Sequence, residues 1–171
     1  MARVRLASGR RRLYLPHALR QMARPDRMIT PAEVRMAIDC GSVIEDYPED
    51  PRGHSCLILG FGESSRPIHC LCSKRGLSCH HYRVYPRRAR VDGRFPQEER
   101  EMKCVHCRGE MRRGAAPFHI DRKNCHVLLD SIPAWVCEQC GEPYFEEREV
   151  ESIQDLIRSV EQKAIALAPT A

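Results

Sequence analysis

Four of the ten cysteines in this 171-residue chain fall into two Cys-x-x-Cys pairs, Cys104-Val105-His106-Cys107 and Cys137-Glu138-Gln139-Cys140. Structural zinc takes four soft or borderline ligands in a tetrahedron, and each Cys-x-x-Cys turn aims two thiolates at one ion. The pattern therefore predicts one structural Zn2+ on Cys104, Cys107, Cys137 and Cys140. With all four positions filled by cysteine, none is left for a reactive water, so the ion is expected to hold structure and take no part in chemistry. A redox dithiol would need one pair, not two. Gly141 suits the turn that follows the second knuckle, and His106 reads as a solvent-facing loop residue. A module this small buries little apolar area, so metal binding is expected to drive its folding.

A second group is weaker. Cys70, Cys72 and Cys79, with His80 and His81, could form another metal site or a metal or redox sensor. Cys70 and Cys72 would share one face of a strand. Against this stands the frequency of buried cysteine as a small core residue.

The elements that must carry these residues divide the chain into residues 1–82, a joint at 83–101, and residues 102–171. In the first part Pro16 precedes a helical stretch from His17, with Ala18, Leu19 and Met22 on one side and Pro25 ending it. Thr30-Pro31-Ala32-Glu33 reads as a helix start: Thr30 caps, Pro31 takes the first position and Glu33 closes a capping box. Gly41 stops that helix. Strand signals follow at Val43-Ile44, Cys56 to Leu59 and Ile68 to Cys72. Two helices followed by strands predict an α+β fold with a small antiparallel sheet. The joint holds six arginines and two prolines without apolar periodicity. The last part reads as a zinc-ribbon-like module with a terminal amphipathic helix from Arg148 to Leu167, which should dock on that module or on a partner.

Residues 1–27 carry eight arginines against the single acid Asp26, whereas residues 141–162 carry seven acids against two arginines. The basic front could face the acidic tail or an acidic partner such as RNA, or both could be solvated faces. No segment approaches the length of a membrane span, and no apolar run follows Arg10-Arg11-Arg12 as a signal peptide requires. Cysteine-rich and without such signals, the chain reads as cytoplasmic, with metal ligands or free thiols in preference to disulfides.

Residues 102–171 resemble the YgiT-type zinc finger, the zinc-binding domain of MqsA-type antitoxins. The likeness rests on Met102-Lys103-Cys104, both knuckles and their long separation, Ile132-Pro133-Ala134-Trp135-Val136-Cys137, and Cys140-Gly141-Glu142 followed by Tyr144-Phe145. It implies zinc binding and contact with a cognate toxin. The helix-turn-helix of full-length members has no counterpart after Ala171, so DNA binding is not expected.

The first part is similar to the family called domain of unknown function 4258, over roughly His17 to Cys79. The shared residues are His17-Ala18-Leu19 with Met22, Arg27 with Ile29-Thr30, Gly41 with Ile44-Glu45 and Tyr47-Pro48, Leu59-Gly60, and Arg66-Pro67-Ile68-His69. Members are often encoded beside YgiT-type proteins, which by analogy implies a small ribonuclease toxin. On that reading His17 and His69 are the acid–base candidates, and Arg20 and Arg27 the phosphate ligands. His69 in an apolar strand also fits a satisfied core residue, and His17 a plain helix start.

The family's ending, a strand of the form I-I-T-x-Y-x-P-D and an aromatic tail, is replaced here by Cys79-His80-His81-Tyr82-Arg83-Val84-Tyr85-Pro86-Arg87. Read one base later with permitted codons, His80 onward can encode that ending. The chain is accordingly read as a frameshifted fusion in which Met102 is the original start of the antitoxin. Loss of the strand threonine and tyrosine would impair an endoribonuclease. Three functions follow: a toxin–antitoxin-type fusion whose finger contacts a cognate toxin or its own N-terminal module, a non-catalytic zinc-dependent binding module, or a sensor using Cys70, Cys72 and Cys79.

Overall fold

A computed structural model of the chain describes residues 12–51, 53–73, 76–80, 102–122 and 125–167. The arginine-rich joint at 83–101, and with it the reading-frame shift, lies outside these residues.

The fold is α+β, as expected. Strand β1 (Leu13–Tyr14) leads into helix α1 (Pro16–Met22) and helix α2 (Pro31–Cys40). Then come β2 (Ser42–Tyr47), β3 (Ser55–Phe61), β4 (Pro67–Ser73) and β5 (Gly76–His80). The C-terminal part adds a long hairpin, β6 (Met111–Arg122) and β7 (Cys125–Cys137), then β8 (Pro143–Glu146) and helix α3 (Glu147–Leu167).

The capping box forms as the sequence dictates. The Thr30 hydroxyl accepts the Glu33 N–H and the Glu33 carboxylate accepts the Thr30 N–H, with Pro31 in the first turn. Helix α1 ends at Met22 with Ala23 as cap, two residues ahead of Pro25, which cannot continue a helix. Gly41 ends α2 in extended backbone. The close approach of α2 to the sheet depends on another glycine: a Cβ at Gly60 would lie 2.2 Å from the Ala37 carbonyl oxygen.

The eight strands among the described residues form one sheet in the order β2-β3-β4-β5-β1-β8-β7-β6. Strands β2 to β5 make the expected antiparallel sheet, and β6, β7 and β8 a second antiparallel set. Strand β1 joins them, parallel to β5 through Tyr14↔Leu77 and antiparallel to β8 through Leu13↔Glu146 and Tyr14↔Phe145. Sequence patterning gave no sign of this strand.

One core crosses the junction. It gathers Tyr14, Leu19, Val34 and Ile58 from the first part with Phe118, Phe145, Val150 and Ile157 from the second. Helix α3 packs its Val150, Ile153 and Ile157 inward over β7 and β8, and it also reaches α2 and β1. Its docking surface thus includes the N-terminal part as well as the hairpin. No helix among the described residues is long and apolar enough to cross a membrane.

Candidate metal centre

The two knuckles have the same backbone design. In the first, the Arg108 N–H donates to the Cys104 carbonyl at 3.0 Å and the Cys104 N–H to the Gly109 carbonyl at 2.9 Å. In the second, the Gly141 N–H donates to the Cys137 carbonyl at 2.9 Å and the Cys137 N–H to the Glu142 carbonyl at 3.0 Å. Both turns need a left-handed residue after the second cysteine. Gly141 supplies it at φ 74°, and Arg108 does so at φ 63° despite its side chain.

These turns bring the four sulfurs within 4.8 Å of one another. Cys104 and Cys140 are 3.6 Å apart, and Cys107 and Cys137 are 3.3 Å apart. Sulfurs about 2.3 Å from one tetrahedral ion would be roughly 3.8 Å apart. The spacing fits four ligands around one metal ion.

Backbone N–H groups converge on the sulfurs. The N–H groups of His106 and Gly109 each point at a knuckle sulfur, Cys104 and Cys107, at 3.4 Å. Burial raises the Cys137 thiol, but N–H donors from Cys140 and Gln139 and the Cys107 thiol outweigh it and lower it to about 7. At Cys140 the Glu142 N–H favours the thiolate, yet burial and the neighbouring sulfurs prevail and push it up to about 12. Four sulfurs this close do not all ionise unaided, and a cation among them resolves the repulsion.

Tyr144 supports the site from β8. Its hydroxyl accepts the Val105 N–H and donates to the Cys104 sulfur at 3.6 Å. Burial and the Cys104 sulfur hold its pKa well above the usual range, so it remains a donor. The single tryptophan, Trp135, donates from Nε1 to Glu146 at 2.7 Å and lies under the Arg113 guanidinium. His106 is exposed, 3.8 Å from Glu142.

The apolar core around the sulfurs is small: Leu13, Cys104, Val105, Met111, Cys137 and Tyr144, with Leu15, Met102 and Trp135 at its margin. Leu13 and Leu15 come from the other end of the chain. Sequence reasoning missed both, and it registered Tyr144 only within a family pattern. The Leu13-Tyr14-Leu15 alternation is too short to declare itself.

The N-terminal candidates are dispersed in character. His17 is exposed on the first turn of α1, and His69 is buried at 8% exposure within β4. The Arg20 guanidinium lies 5.7 Å over the Phe118 ring, against a residue of β6. Arg27 pairs with Asp26 at 3.4 Å and donates to Gln21 at 3.3 Å. Cys70 and Cys72 do share a face of β4, with Cys56 of β3 opposite Cys72. Burial pushes the Cys72 thiol well up and Cys56 up to about 11, which makes them neutral core thiols. Strand β5 aligns Cys79 with Cys70 and His80 with His69, but their side chains, and all of His81, lie outside the described residues.

No curated protein and no solved structure is significantly similar to this chain. A family is recognised in its first part. The match begins at Tyr14 and ends at Leu77, two residues that face each other across the β1–β5 pair. Residues 14–77, which hold both N-terminal helices and strands β2 to β4, are a member of the family described as Domain of unknown function (DUF4258).

Proposed function

We propose that this chain is a zinc-binding protein of toxin–antitoxin type, in which an antitoxin-like YgiT-type finger covers an RNase-like DUF4258 domain in the same molecule. Zinc is the natural ion for four thiolates in a closed tetrahedral set, since it needs no open position and no redox chemistry. One observation carries the covering role. Side chains of residues 102–171 engage the helical region of the DUF4258 domain at buried or half-buried points. Gln154 donates to the Ile29 carbonyl at 2.8 Å, the Arg122 guanidinium to the Ala23 carbonyl, and Phe118 lies under Arg20. Arg20 is one of the two residues expected to meet an RNA phosphate, and on this reading the finger withdraws it. The chain is then a fusion joined ahead of Met102, acting in the cytoplasm on RNA, without DNA or membrane contact.

A second reading is favoured by the same cations. With Arg20 against Phe118 and Arg27 against Asp26 and Gln21, both proposed phosphate ligands are engaged within the fold. The chain would then be a non-catalytic zinc-dependent binding module.

A growth assay in a bacterial host separates the two. Residues 1–79, extended by the ending encoded in the shifted frame, are expected to arrest growth, and co-expressed residues 102–171 to restore it. Arg122→Ala/Gln154→Ala in the co-expressed residues 102–171, which loosens the cover, is expected to weaken that rescue. Harmless expression of the restored N-terminal part would overturn the toxin reading and leave the binding module.

A further inference from the structure

We propose that the metal ion and the N-terminal segment Leu13-Tyr14-Leu15 bind the C-terminal half cooperatively, so that metal occupancy latches the DUF4258 domain in place.

The strand is shared between two cores. Tyr14 is fully buried on one face, in the core that crosses the whole sheet. Leu13, at 7% exposure, enters the small core on the other face, and Leu15 packs at its margin. That small core is built from the knuckles themselves. Cys104 and Cys137 are ligands, and Val105 lies within the first turn. The cleft that receives Leu13 therefore has its shape only when the knuckles are closed on an ion.

The backbone makes the same connection. Strand β8, to which β1 pairs at Leu13↔Glu146 and Tyr14↔Phe145, starts three residues after Cys140. The Cys137 N–H to Glu142 carbonyl bond fixes its departure from the second knuckle. Between them Tyr144 ties β8 back to Val105 and Cys104 of the first knuckle. On its other side β1 has one register partner, Leu77 for Tyr14. Opening the knuckles would remove both the cleft and the register of β8, leaving the strand held by Tyr14 and its pairing with Leu77.

Coupling of this kind is reciprocal: whatever the ion adds to docking of the strand, the strand adds to retention of the ion. The occupant is the chain's own apolar–aromatic–apolar segment, and truncating its leucines must loosen zinc.

The test uses the full-length zinc-loaded chain and a chromophoric chelator. Leu13→Ala is expected to weaken zinc retention about tenfold, within the range usual for coupled sites. Leu19→Ala, the same truncation in the other core, is expected to leave zinc retention unchanged. Stripping zinc from the parent chain is expected to speed tryptic cleavage after Arg12, and Leu13→Ala to show that faster cleavage with zinc bound. If Leu13→Ala does not fold, Leu15→Ala replaces it. Equal zinc retention by parent and variant, or cleavage indifferent to zinc, overturns the latch. The inference rests on the metal site and not on the toxin reading. A chain that binds no zinc fails at stoichiometry, whereas zinc bound with no coupling fails the latch alone.

Discussion

The two ends of the sheet are fixed in different ways. The DUF4258 domain holds itself with apolar side chains, and Leu19, Met22, Val34 and Ile68 are all fully buried between helices and strands. The one deeply buried charge among its described residues, Glu33, is satisfied from all sides. It accepts the N–H groups of Thr30 and Glu63 at 3.0 and 3.1 Å, and Arg66 Nη2 contacts both carboxylate oxygens at 2.7 and 2.8 Å. The knuckle end has six buried core residues, and two of them are ligand cysteines. Where apolar area is short, an ion supplies the cohesion instead. One end should therefore depend on pH and packing, the other on metal and thiol chemistry.

The largest expected effect strikes the knuckle end. Structural zinc contributes on the order of 10 kcal/mol to folding in small modules. Cys137→Ser, or chelation of the parent chain, should abolish ordered structure around the hairpin mouth and shift the emission of Trp135, which packs beside this core. Helices α1 and α2 should persist. Circular dichroism unchanged on chelation would erase the contrast between the ends.

The next effect strikes the other end. Glu33→Ala leaves the Arg66 guanidinium and two part-buried N–H groups without their acceptor, and should cost about 3 kcal/mol in a denaturant titration. The parent chain should also lose stability in acid. Burial raises the Glu33 pKa, but the Thr30 N–H and Arg66 outweigh it and hold it below its ordinary 4.5. A carboxylate with a depressed pKa stabilises the fold above its ordinary value, and that contribution is lost as pH falls through the lower one. The variant should thus show a shallower decline below about pH 4.5 than the parent. Identical acid profiles would mean that Glu33 is not the polar nucleus of this end.

How much of this was legible depended on how local each signal was. The capping box is a four-residue pattern, and Thr30 and Glu33 form it as read. The four cysteines carry their geometry in their spacing, and the amphipathic stripe of α3 runs for most of its 21 residues. The features that join residues distant in sequence were not legible. Strand β1 has two residues and no periodicity, and its pairing with Phe145 spans the length of the chain. The Arg66–Glu33 bond joins residues 33 positions apart. Gly60 reads as a weak strand residue until α2 is seen to lie against it. The family likeness recovered the extent of the DUF4258 domain, yet it carried no information on what covers that domain.

The smallest effect sharpens the comparison within the metal site itself. Both knuckles require a left-handed residue, and only the second uses glycine there. A non-glycine residue in that region costs roughly 1–2 kcal/mol. Arg108 bears this strain while its Nη2 donates to the Pro51 carbonyl at 3.1 Å, an exposed contact from the first knuckle to the turn before β3. An exposed hydrogen bond contributes about 1 kcal/mol or less. Arg108→Gly should therefore raise the stability of the zinc-loaded chain by a few tenths of a kcal/mol up to about 1 kcal/mol. Its mirror image, Gly141→Ala, should lower stability by about 1 kcal/mol, because a Cβ there meets nothing within 4 Å and the backbone angle alone sets the cost. Opposite signs in the two variants would show that the knuckles share one backbone design. A loss of stability in Arg108→Gly would instead mean that the Pro51 contact outweighs the strain, and that the first knuckle, unlike the second, is shaped by its hold on the DUF4258 domain.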